Sequence, residues 1–252
     1  MVRKTLVLFA LALVVALPAA AEATLDEIVA THIESKGGMD AIQGVKTMKM
    51  EGRLMMGPGM EAPLTIHAKR PASFRMDFEF QGMKGTQAFD GETGWQVMPF
   101  MGSTEPEKLT GTELEDMIEQ SDFDGALIGY KEKGHSLELL GTEEVEGTEA
   151  YKLKLTHKNG NETTMFLDTE YCLELKTVSK SEMQGQEIEV EVLYGDYKEV
   201  EGMMVAHSIT QTMMGQPGPS ITFETVTANS DIDDDVFAMP VAEAAEAPAA
   251  KE

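Results

Sequence analysis

From Val45 onward the apolar residues recur at every second position, and a period of two commits that part of the chain to β-strands. Met48, Met50, Leu54 and Met56 alternate with Lys49, Glu51, Arg53 and Met55. Leu64, Ile66 and Ala68 alternate with Thr65, His67 and Lys69. Phe74, Met76, Phe78 and Phe80 alternate with Arg75, Asp77 and Glu79. Each stretch is a strand with one apolar face and one wet face. Asp90-Gly91 marks a turn between two further strands near 85–89 and 94–99. Strands follow at 136–140, 151–156, 163–168, 173–179, 187–194, 203–212 and 221–227, with turn signals such as Asn159-Gly160 and Glu201-Gly202 between them.

Two stretches depart from this period. Thr24-Leu25-Asp26-Glu27 is a capping box, and Leu25, Ile28, Val29, His32 and Ile33 then share one helical face up to Gly37-Gly38. A short turn follows at 39–43. Residues 109–120 carry Leu114, Met117 and Ile118 at helical spacing, with Thr112 as the expected cap. A sheet with one apolar face must cover it, and so few helices cannot cover a flat sheet of this length. The expected fold class is therefore α+β and mainly β. It is a curled antiparallel sheet forming a half-open barrel of about 11–12 strands, with helices on its concave face. An apolar cavity is expected where that cover is incomplete.

The two ends read differently. Residues 1–21 have the form of a cleavable signal peptide: Arg3 and Lys4, an apolar run of 12 residues at 6–17, Pro18, then Ala19-Ala20-Ala21. The run is too short to span a bilayer, and no cysteine near the cleavage point offers a lipid anchor. Residues 22–240 are read as a single domain, and residues 241–252, rich in Ala, Glu and Pro, as a disordered tail. Export would remove two cations and no acid, taking the formal charge from −24 to −26. Such a chain has no basic footprint for nucleic acid and is repelled by an anionic membrane surface.

Enzyme chemistry finds little support. His32, His67, His135, His157 and His207 form no His-Glu-x-x-His pattern, and there is no Gly-x-Ser-x-Gly elbow or phosphate loop. The single cysteine, Cys172, permits neither an intrachain disulfide nor a cysteine zinc site, and reads as a buried small apolar residue. Asp231, Asp233 and Asp235 imitate half of a calcium loop, but Val236 stands where glycine is needed, so the run is a charged turn before Phe237. No catalytic residue, metal or cofactor is expected.

Three motifs in order carry a resemblance. Lys69-Arg70-Pro71 is followed by Phe74; Asp90-Gly91-Glu92-Thr93-Gly94-Trp95 runs into Pro99-Phe100; the chain closes on residues 231–240, ending Phe237-Ala238-Met239-Pro240. This order resembles the periplasmic outer-membrane lipoprotein carrier LolA and the wider LolA-like lipoprotein-sorting family. The resemblance implies an incomplete barrel with a helical lid, no covalent chemistry, and a periplasmic carrier of lipoprotein or lipid acyl chains. Its partners would be an inner-membrane donor and an outer-membrane acceptor, and the carrier would be a monomer. It also implies that Arg70 gates the lid and that Trp95 lies by the cavity. The chain is longer, more acidic and richer in methionine than that carrier, and 195–202 fits the broader relatives better.

The residues expected to line the cavity are Met48, Met50, Leu54, Leu64, Ile66, Phe74, Met76, Phe78, Phe80, Phe89, Trp95 and Val97. Alternatives stand beside each role. Arg70 also suits a strand-end cap or a partner for a nearby acid, and Trp95 also suits a core anchor. The 19 methionines suit ordinary packing, a deformable slot for lipid, or thioether sites for copper(I) at Met55-Met56-x-x-x-Met60 and Met213-Met214. A lipid- or lipoprotein-sensing module on the same scaffold is the other reading of the family.

Overall fold

The computed structural model describes residues 23–57, 59–183 and 186–240. The expected signal peptide and tail lie outside the described residues. Helices α1 (Leu25–Ser35) and α2 (Gly38–Gly44) come first. Thr24 and Glu27 close the expected capping box on α1 in both directions. Gly37 joins the two helices at φ 116°, and a Cβ there would lie 2.0 Å from the Gly202 carbonyl oxygen, so only glycine fits this close approach.

Thirteen strands follow. They are β1 (Thr47–Gly57), β2 (Met60–Lys69), β3 (Ser73–Phe80), β4 (Met83–Phe89), β5 (Gly94–Met98) and β6 (Ser103–Lys108) before the third helix. After it come β7 (Ser136–Val145), β8 (Thr148–Thr156), β9 (Glu162–Asp168), β10 (Glu174–Met183), β11 (Gln186–Val200), β12 (Met203–Met213) and β13 (Gln216–Ala228). Helix α3 (Gly111–Gln120) stands between the two groups, and its cap position is Thr110 rather than the expected Thr112.

All the strands form one antiparallel sheet in the order β6-β5-β4-β3-β2-β1-β13-β12-β11-β10-β9-β8-β7. The sheet does not close, because β6 and β7 are its two free edges. Every neighbour pair except β1–β13 is a sequential meander, so the chain's two ends meet mid-sheet. The count of 13 exceeds the expected 11–12 because of β6. Its sequence, Ser-Thr-Glu-Pro-Glu-Lys, has no apolar alternation, and Pro106 is tolerable only on an edge. Strand β11 also runs on past Tyr194, the expected end of that strand, passing through Asp196 at φ 50°.

The helices cover one face, hereafter the inner face. Ile28 of α1 packs with Leu153, Leu155, Met165 and Leu167 of β8 and β9. Ile42 of α2 packs with Met48 and Met203. Met117 of α3 joins Leu54, Leu64, Ile66, Phe74, Phe78, Phe89 and Met98 on β1–β5.

Candidate functional site

The register fixes which expected lining residues share the inner face. Leu64 stands opposite Phe78, Ile66 opposite Met76, and Phe74 opposite Phe89. Leu54, Leu64, Ile66, Phe74, Phe78 and Phe89 are buried in one cluster, with Met50 and Met76 packed against it. Met48 belongs to the adjoining cluster under α2. Phe80 continues the same face to the end of β3, where it is half-buried. A hollow over this face is not what the structure shows: Leu109, Leu114, Met117 and Phe100 fill it from within the chain. Gly94 makes room for them, since a Cβ there would lie 2.9 Å from Leu114 Cδ1. Two surface grooves are shallow, one lined by Arg53, Glu61 and Glu224 and the other by Met98, Met101 and Glu107, and neither is an apolar cavity.

Arg70 follows the last residue of strand β2 and reaches back under the helices. Its Nε donates to the Val45 carbonyl at 2.7 Å and its Nη2 to the Ile42 carbonyl at 2.6 Å. Its Nη1 donates to Asp124 Oδ2 at 2.6 Å. The guanidinium also lies 4.5 Å from the centre of the Phe123 ring. One planar fork therefore ties three things together: the sheet, the open end of α2, and the loop after α3. The loop holds its own shape through Lys133, which donates to Asp122 and to the Gly125 carbonyl. Residues 121–135 and the two carbonyl contacts could not be read from the sequence, because nothing there has a period.

A second polar anchor fixes α1. His32 is buried, and its Nδ1 lies 2.8 Å from the Cys172 carbonyl, so it donates there. Its Nε2 is 3.9 Å from Glu174, which also meets Lys36 at 3.5 Å. Tyr197 donates to the Glu174 carbonyl at 2.8 Å. Burial lowers the His32 pKa below its ordinary value, the Glu174 charge opposing it. Burial would raise Glu174, but Lys36 and His32 outweigh it and hold the carboxyl below its ordinary range. Burial, helped by Asp168, pushes the Cys172 thiol up to about 11, so it is inert.

Trp95 and Val97 are corrections. Gly94 pairs with Phe89 and Trp95 with Ala88, so on β5 the inner positions are Gly94, Gln96 and Met98. Trp95 and Val97 point to the outer face. There the indole Nε1 donates to the Phe237 carbonyl at 2.9 Å, and Arg75 donates to the Val236 carbonyl at 2.7 Å. Lys69 donates to the Ile232 carbonyl. Residues 231–240 thus form a strap across the outside of β2–β5, with Trp95 and Phe237 both almost fully buried. Of its two open readings, Trp95 takes the core anchor.

The copper(I) candidates sit on two hairpins. Met55 stands opposite Ser220 and Met213 opposite Gln216, four residues apart along β13. Among the described residues no group of three or more His, Cys, Asp or Glu side chains is placed to hold a metal. No described helix is long and apolar enough to cross a membrane.

The fold is that of a half-barrel: an unclosed, curled antiparallel sheet with helices on its inner face. Three solved structures share it. A DUF1329 family protein from Desulfovibrio piger superposes with a TM-score of 0.59 at 12% identity, over 85% of this chain and 97% of that one. A putative outer membrane lipoprotein-sorting protein domain from Vibrio parahaemolyticus gives 0.57 at 11%, over 84% and 94%. A LolA superfamily protein from Nitrosomonas europaea gives 0.55 at 16%, over 86% and 98%. At these identities the likeness is one of fold. No protein-family model and no curated protein matches the sequence.

Proposed function

We propose that this chain is a non-enzymatic periplasmic carrier that takes up the acyl chains of lipoproteins or lipids between the sheet and its helical lid. The observation that carries the reading is the Arg70 fork. It fastens α2 and the loop around Asp124 to the sheet through three hydrogen bonds, all reversible, at the edge of a methionine- and phenylalanine-lined face. An acyl chain entering that face would displace α3 and its Leu114 and Met117. Burial contributes about 0.8 kcal/mol per CH₂, so a 16-carbon chain gains on the order of 10 kcal/mol gross. That exceeds what a few hydrogen bonds hold, so loading can open the latch and the latch can assist release. Met50 and Met76 suit a slot that must reshape around different chains.

The likeness to lipoprotein-sorting and LolA superfamily folds supports this reading. The signal-peptide pattern at 1–21 supports export. Native mass spectrometry of gently purified protein, followed by lipid extraction, tests it. Co-purifying acylated species, released by delipidation, are expected. Protein that carries no acyl species and fails to take up a fluorescent fatty acid would end this reading.

A further inference from the structure

The two ends of the half-barrel have opposite chemistry. Because the strands alternate in direction, the turns β1–β2, β3–β4, β5–β6 and β12–β13 all lie at one end. Their sequences are 55–60 MMGPGM, 80–83 FQGM, 98–103 MPFMGS and 213–218 MMGQPG. These 22 residues contain no charged side chain, where about five would be expected from the chain's 25%. They hold eight of the 19 methionines. At the other end four turns are acidic, namely Asp90-Gly91-Glu92, Glu146-Gly147, Asp168 to Glu170, and Glu201-Gly202, while the fifth, β2–β3, carries Lys69 and Arg70.

Four of the turn methionines reach into solvent. Met101 is 78% exposed, Met214 68%, Met60 41% and Met55 39%, which is half of the exposed large apolar side chains among the described residues. The turn glycines Gly59, Gly82, Gly102 and Gly215 all have positive φ, and a Cβ on any of them would meet nothing within 4 Å. The one turn at this end that departs, β8–β9, is polar and is engaged by Glu119 of α3 through Asn159 and Asn161.

We propose that this rim is a docking surface for a net-neutral lipid bilayer, its methionine tips entering the headgroup region. A protein partner would have to match four separate prongs in shape. A bilayer interface accepts independent apolar tips without any such match. Charge selects the same occupant. A chain of net charge −24 is repelled by anionic lipid, and turns cleared of acids let this end approach a zwitterionic surface. The inner face ends at this rim, with Met56 packed against its cluster, so docking would set the mouth of the half-barrel against lipid. The inference stands on the turns alone and does not depend on what the inner face holds.

Flotation of the exported, processed chain with dioleoylphosphatidylcholine vesicles tests it. Co-flotation is expected, weakened when the vesicles are doped with phosphatidylglycerol. The double variant Met101→Asp/Met214→Asp should lose at least tenfold in vesicle partition, while Tyr171→Glu, at the acidic end, should lose nothing. Circular dichroism and the melting temperature check that the double variant is folded. Failure to float, or equal flotation of the rim variant, overturns the proposal. So does a concentration-dependent dimer that the rim variant breaks and vesicles do not compete with, which would assign the rim to a second copy. Vesicle binding that persists without any fatty acid uptake would uphold the rim and count against the carrier.

Discussion

Replacing Arg70 with leucine removes three donated hydrogen bonds and a cation–ring contact while leaving the strands untouched. The two bonds to the Ile42 and Val45 carbonyls come from a charged donor and contribute about 1.5 kcal/mol each. The Asp124 side chain is 26% exposed, so its ion pair is screened and adds about 0.5 kcal/mol. The freed carbonyls recover part of the loss from water. A net weakening of about 3 kcal/mol makes the detached state of α2 and the loop on the order of 100-fold more populated. Amide hydrogen exchange reads this directly. Exchange of Lys133 and Gly125 amides in the loop, and of the last turn of α2, should accelerate about two orders of magnitude. Amides of β8 and β9 should not change. Arg70→Lys keeps the charge beside Asp124 but cannot span three acceptors, so it should fall between. Unchanged loop exchange in Arg70→Leu would show that the fork does not hold the lid. Uniform acceleration through all the strands would show that Arg70 supports the whole fold instead.

The remaining expectations concern Trp95 and His32. Adding a fatty acid should leave Trp95 emission unmoved, because the indole faces the outer strap, whereas Phe237→Ala should shift emission to the red and cost about 3–5 kcal/mol; strong quenching by a brominated fatty acid would contradict this placement. His32 is held neutral by burial below its ordinary 6.5, so the unfolded chain binds the extra proton first and stability falls as pH drops below about 6.5; below the ordinary 4.5 of Glu174, that carboxylate's contribution is lost as well. His32→Asn keeps a donor for the Cys172 carbonyl and should flatten the loss between pH 6.5 and 4.5, measured as melting temperature; an unchanged slope would remove His32 from the account.

What the sequence showed depended on how many faces of each strand are buried. On β1–β3 only the inner face is apolar, and alternation named Leu54, Leu64, Ile66, Phe74 and Phe78 correctly as neighbours. On β5 both faces are covered, one by Leu109 and Leu114 and the other by the 231–240 strap, so parity no longer points inward. Trp95 and Val97 look like the apolar side of the strand, yet the inner side is carried by Gly94, Gln96 and Met98. The Arg70 motif marked the residue but not its acceptors, because backbone carbonyls leave no trace in sequence. The capping box at Thr24 and Glu27 was fully legible, since all its partners lie within one turn.

The outer strap has a consequence for how such a shell tolerates change. A curled sheet that is stuffed on its inner side relies on the stuffing for its curvature, and it would flatten or buckle when the contents move. Here residues 231–240 brace β2–β5 from behind, through Lys69, Arg75 and Trp95, much as a hoop holds staves. The stiffness of that half of the wall is supplied from outside. Its helices and loop can therefore shift, and its interior can be emptied or filled, without the wall having to learn a new shape.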